Sequence, residues 1–135
     1  MELTPREAAN QLHELVKQIK LGFDSTAEQI SYCEGEAIDL THGFELLGPD
    51  EIDPAELFNQ YQTNRRVRRK AKNDNEQWRI LYEVITRFGL LEECSRAKRE
   101  VQSVIKTQAV RSYTVKTRED LQQSFDRAKL MRKII

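Results

Sequence analysis

Residues 12–47 carry apolar side chains in a strict alternation of four- and three-residue steps. The series runs Leu12, Val16, Ile19, Phe23, Thr26, Ile30, Cys33, Ala37, Leu40, Phe44 and Leu47, and only Thr26 is polar. A heptad seam held this long predicts one buried face of a long helix. Its start is marked by Thr4-Pro5-Arg6-Glu7: a capping threonine, a proline at the first helical position and a glutamate three residues past the cap. Gly48-Pro49 stops it. Gly22, Gly35 and Gly43 each weaken the helix by about 1 kcal/mol relative to alanine. They leave room for a kink or break near Leu21–Ser25, with Asp24 or Ser25 as a fresh cap.

The signal repeats after a short connection. Asp53-Pro54-Ala55-Glu56 again supplies cap, proline and returning acid, and the pattern runs to Phe88 before Gly89. The second seam reads Leu57, Tyr61, Asn64, Arg68, Ala71, Asn75, Trp78, Tyr82 and Ile85, apolar at both ends and polar in the middle. A third helix is predicted from Leu90 to about Val110, with Leu91, Cys94, Val101, Ile105 and Gln108 on one stripe. Arg111–Lys116 includes Tyr113, Thr114 and Val115 and reads as an extended link. Thr117 is placed to cap a last helix, with Asp120 at the third position and Leu121, Phe125, Ala128 and Met131 inward.

A connection as short as Pro49–Asp53 folds the first two helices back antiparallel. Pairing outward from it sets Leu47 near Leu57, Leu40 near Asn64, Ala37 near Arg68 and Ile30 near Asn75. The polar middle of the second helix then faces Glu34, Glu36 and Asp39. The expected fold is all-α in one domain, residues 1–135: a coiled-coil-like helical hairpin over 5–88 and two shorter helices over 90–135, forming a bundle. Seams of this length commonly continue into a partner chain, so a homo-oligomer is expected, although heptads alone do not set its number.

Composition changes the picture mainly through charge. The 135 residues are 39% apolar and 33% charged, with zero formal net charge. Yet residues 1–60 hold 13 acids against three bases, and residues 61–135 hold nine acids against 19 bases. Opposite halves attract within one fold or between copies of it, which makes a free nucleic-acid surface less secure than the basic half alone suggests. No apolar run approaches the ~20 residues that span a bilayer, and no signal-peptide core follows Met1, so a cytoplasmic protein without membrane contact is expected. Cys33 and Cys94 lie on apolar seams without metal-ligand spacing and read as buried thiols.

Two constellations carry candidate chemistry. Asn64-Arg65-Arg66-Val67-Arg68-Arg69-Lys70-Ala71-Lys72 places six cations in nine positions. Such a helix grips phosphates of a nucleic acid or phosphorylated nucleotide, docks on an acidic protein, or pairs with its own acidic first helix. No aromatics interleave the run, which argues against a single-strand stacking platform. Glu36, Asp39, His42 and Glu45 share one helical face by their spacing and are candidate metal ligands or proton carriers, though the same spacing is common on solvated faces. Arg111 and Tyr113 break the helical pattern and are candidates to line a pocket. No glycine elbow, phosphate loop or dinucleotide fingerprint is present, and no cofactor is expected.

The order of these features resembles small helical proteins carried by tailed phages and prophages of Gram-positive bacteria. The matching residues are Tyr32-Cys33 followed by Asp39, His42, Glu45 and Leu46; Arg65-Arg66 through Lys70-x-Lys72 with Asn75-Glu76 behind; and Arg111-Ser112-Tyr113-Thr114. The resemblance covers roughly residues 30–116 as a pattern of spaced residues, not one motif. It implies a phage accessory protein in the host cytoplasm, and no particular reaction. The expectation is a non-enzymatic binding protein acting on a host or phage macromolecule, inhibition of a host defence or regulatory system being one such role. Nucleic-acid or nucleotide binding through Arg65–Lys72 is the first alternative, and metal-assisted hydrolysis using Asp39, His42 and Glu45 the second.

Overall fold

The computed structural model describes residues 2–134, with side chains described through residue 131. It is all-α, with helices α1 (Pro5–Leu46), α2 (Pro54–Phe88), α3 (Leu90–Ala109) and α4 (Gln122–Ile134), the last entered through a 3-10 turn at Glu119–Leu121. No strand occurs among the described residues. The chain divides into two compact units, Glu14–Leu91 and a second formed by the first thirteen residues with those from Glu92 onward.

Within Glu14–Leu91, α1 and α2 form the antiparallel hairpin. The break anticipated near Leu21–Ser25 does not occur: α1 is one helix of 42 residues, continuous through all three of its glycines. Tertiary packing overrides the local propensity cost. Gly22 lies directly beneath the Trp78 indole, and a Cβ there would come within 2.5 Å of the ring. At the far end of the hairpin, Gly43 packs less tightly on Leu57, where a Cβ would lie 3.3 Å from the side chain.

The predicted seams close along their middle, while Leu12, Phe44 and Leu47 at the ends of the α1 seam are exposed. Val16, Cys33, Ala37 and Leu40 of α1 are buried against Leu57, Ala71 and Ile85 of α2. Phe23 stacks on Tyr82 with centroids 4.2 Å apart, and Phe44 meets Tyr61 edge-on at 5.7 Å.

Leu47 and Leu57 meet at the tip as expected, both within 3.6 Å of the Cβ position of Gly43, but farther along the register differs from the expected one. Asn64 meets Cys33 and Glu36 instead of Leu40, Arg68 meets Glu34 instead of Ala37, and Asn75 meets Phe23 and Thr26 instead of Ile30. The displacement is about one helical turn, or ~6 Å. Part of it arises because α1 ends at Leu46, before Gly48-Pro49, so the connection spans 47–53 and centres on Asp50. Gly48 N donates to Glu51 Oε2 at 3.0 Å, and the amides of Glu51 and Ile52 return to Gly48 O.

The ends of α1 and α2 follow their sequence signals with one exception. Glu7 N donates to Thr4 Oγ1 at 3.1 Å, which caps α1. Asp53 precedes Pro54 in extended backbone, but its carboxylate makes no capping bond. Gly89, at φ 56°, closes α2 in the left-handed conformation and hands the chain directly to α3.

In the second unit Cys94 is buried. The anticipated α3 stripe fades toward its C-terminal end, where Ile105 and Gln108 are exposed. Thr117 does not cap the last helix: a 3-10 turn intervenes, and Arg118 forks onto Asp120 at 2.6 and 2.8 Å. The inward stripe expected for α4 is also corrected, because Phe125, Ala128 and Met131 are exposed and Leu121 is half-buried. Instead the Gln122 side chain holds the connector, accepting from Val115 N and donating to Tyr113 O, both at 2.9 Å.

Candidate binding surfaces

The polar middle of α2 is the part of the hairpin with the most specific chemistry. Asn64 is 2% exposed and donates through Nδ2 to Cys33 O at 2.9 Å and Glu36 Oε1 at 2.8 Å. Its Oδ1 accepts from Arg65 Nε and Nη2 at 2.9 and 2.7 Å, and the same guanidinium lies 5.6 Å from the Tyr61 ring centroid. One turn on, Arg68 pairs with Glu34. That hydrogen bond, with the charges of Arg65 and Lys72 behind it, holds the Glu34 carboxyl below the usual carboxylate range. Asn75 donates to Phe23 O at 3.2 Å and Thr26 Oγ1 at 3.0 Å, which accounts for the single polar position in the α1 seam. Polar layers of this kind cost some apolar burial and hold one register against slippage.

The nine-residue basic segment therefore separates into an inner and an outer set. Asn64, Arg65 and Arg68 are spent on α1. Lys72 is half-buried and contributes to the field on Glu34. Lys70 is exposed and bridges to Asp74 on its own helix at 2.7 Å. Arg66 and Arg69 are exposed, with no carboxylate partner among the described residues.

The acidic constellation is not drawn together. Glu36 turns toward Asn64, whereas Asp39, His42 and Glu45 are exposed. The closest approach of the imidazole to a carboxylate is His42 Nδ1 to Glu45 Oε2, at 3.9 Å. Among the described residues, no group of three or more His, Cys, Asp or Glu side chains could hold a metal ion. Arg111 and Tyr113 belong to the second unit, where they border an open cavity of about 390 Å³ with Gln108, Ser112 and Phe125; the Tyr113 and Phe125 rings lie 5.0 Å apart.

The chain matches no known family, curated protein or solved structure. Its surfaces must therefore carry the functional argument. Three features of them escape pattern reading. An open groove of about 460 Å³ runs along one side of the hairpin between Gln29, Tyr32 and Glu36 of α1 and Gln60, Thr63 and Val67 of α2. Tyr32 is 70% exposed at its rim. Along the same α2 row as Thr63 and Val67, by helical spacing, Leu81, Val84 and Phe88 are 46, 40 and 61% exposed. Their signal was present as a second apolar row beside the seam, but the seam is the stronger pattern and hides it. No helix among the described residues is long and apolar enough to cross a membrane.

Proposed function

We propose that this chain is a non-enzymatic binding protein that docks the outer face of its helical hairpin onto a macromolecule, in the manner of a phage-encoded accessory protein acting in its host. Interference with a host defence or regulatory system is one role of that kind. The observation that carries the reading is the exposed apolar row Leu81, Val84 and Phe88. Single exposed apolar residues are ordinary, but three on one helical row are the form of a recognition face, and Lys70, Asp74 and Gln77 separate this row from the groove. The polar middle of α2 supports it, because those groups are already satisfied within the hairpin and demand no partner.

The test compares wild-type protein with Leu81→Glu/Phe88→Glu as baits in bacterial lysate at low salt. A partner held by the wild type and lost by a variant of unchanged helicity is the expected result. Equal capture by both proteins, or no specific capture at all, overturns the reading.

A second reading is phosphate binding, favoured by the outward, unpaired Arg66 and Arg69. Each phosphate contact made by such side chains steepens the salt dependence of binding. It predicts retention on DNA or nucleotide resin that is lost in Arg66→Glu/Arg69→Glu. Retention of that variant equal to the wild type removes this reading. Metal-assisted hydrolysis at Asp39, His42 and Glu45 has no comparable support, since the side chains do not converge.

A further inference from the structure

Charge along the hairpin is segregated more sharply than the balance of the two halves suggests. From Leu21 to Asn64 the chain has 44 consecutive residues without a lysine or arginine, and these carry ten carboxylates. Six cations follow within Arg65–Lys72. The fold turns this linear split into two zones on one rod. At the tip, Glu45, Asp50 and Asp53 are all exposed, and none pairs with a lysine or arginine among the described residues. At the waist, Arg66 and Arg69 are exposed and unpaired as well. Pro54 and Arg69 are separated along α2 by about 20 Å, so tip and waist of one hairpin cannot neutralise each other.

We propose that the tip of each hairpin docks on the waist of a second copy of this chain, forming an antiparallel dimer about a two-fold axis that crosses α2 near Gln62. In an isologous pair each surface meets the other's counterpart, so one axis midway between the zones matches acid to base twice. The residues at that midpoint suit an interface centre. Phe58 is 54% exposed and Ile38 is 59% exposed, on the α2 row 58, 62, 65, 69, 72 and the α1 row 34, 38, 41, 45. Arg68 reaches Glu34 and Arg65 reaches Cys33 O along this edge, while Gln29, Tyr32, Thr63 and Val67 line the groove along the other, which places these two rows on the same side of the hairpin. The dimer face is thus an apolar centre flanked by Glu45, Asp50 and Asp53 toward the tip and by Arg69 toward the waist, with Arg66 at its outer margin. It lies apart from the Leu81, Val84 and Phe88 row and stands or falls independently of docking there, whereas phosphate would compete with it for Arg66 and Arg69.

Two complementary variants of the full chain test it: Arg66→Glu/Arg69→Glu at the waist and Asp50→Lys/Asp53→Lys at the tip. Circular dichroism first establishes that each is as helical as the wild type. Sedimentation velocity is then run in about 0.01 M and about 1 M salt, where the screening length falls from ~30 Å to ~3 Å. The wild type is expected to be a dimer at low salt and to dissociate at high salt. Each variant alone should self-associate about a hundredfold or more weakly. Mixing the two variants should restore a species of dimer mass, because one contact then pairs a native tip with a native waist, the other pairs the reversed waist with the reversed tip, and both are complementary.

A wild type that stays monomeric at low salt overturns the proposal. So does a tip variant that dimerises as the wild type does. If only the waist variant changes behaviour, and it does so by losing retention on DNA, the waist belongs to a nucleic acid and the dimer is rejected.

Discussion

Gly22 and Asn64 show how individual residues set the hairpin. Propensity alone gives every helical glycine the same sign, and Gly22 and Gly35 differ only in what lies opposite. Gly35→Ala has nothing within 4 Å of the new Cβ and is expected to gain about 1 kcal/mol of stability. Gly22→Ala meets the Trp78 ring and is expected to lose about 1–3 kcal/mol instead. Urea denaturation of the two variants checks this; equal shifts would show that Trp78 gives way freely. Asn64→Ala removes an acceptor for Arg65 and a donor to Cys33 O and should cost about 1–3 kcal/mol. The exposed Asn73→Ala is its near-neutral control. Sequence reading placed Asn64 and Asn75 on the inward row because the heptad is a geometric fact. It could not name their partners, because one turn of register decides which backbone carbonyl each amide meets.

At the scale of the element, α1 and α2 were legible nearly end to end, and α4 was not. Long seams repeat the same signal many times, so a single misplaced glycine or asparagine does not obscure them. The final helix offers one short stripe, and its entry depends on Gln122 reaching back to Tyr113 and Val115, a tertiary bond without a sequence pattern. The register error has a similar origin: proline and glycine marked the turn, but α1 ends two residues before Gly48. Between the elements, Arg68 and Glu34 give a pH dependence of definite sign. A carboxyl held below its ordinary range stabilises the fold above that range, and the contribution disappears as pH falls through the depressed folded value. Wild type should therefore exceed Glu34→Gln in melting temperature at neutral pH by a small margin, since the pair is partly exposed. The two curves should converge in acid, and thermal melts across that range provide the check.

Across the whole molecule, pattern reading ranked the candidate surfaces by charge, and the structure reorders them by what remains available. Half the basic segment is internal wiring of the hairpin, and the acidic face never gathers into a site. What is left outward is a pair of arginines, an acidic tip, an apolar row and, separate from it, a groove.

Each compact unit also buries one free thiol, Cys33 in the hairpin and Cys94 in the other. Modification of a buried thiol waits for its surroundings to open, so each sulfur clocks the opening of its own unit. Labelling with a thiol reagent, followed by peptide mass mapping, should give two separate rates. Arg68→Met, which removes a cross-hairpin contact, is expected to quicken the reaction of Cys33 and leave that of Cys94 unchanged. If both rates rise together, the two units open as one. The chain thus carries, without any engineering, a timer for each of its parts.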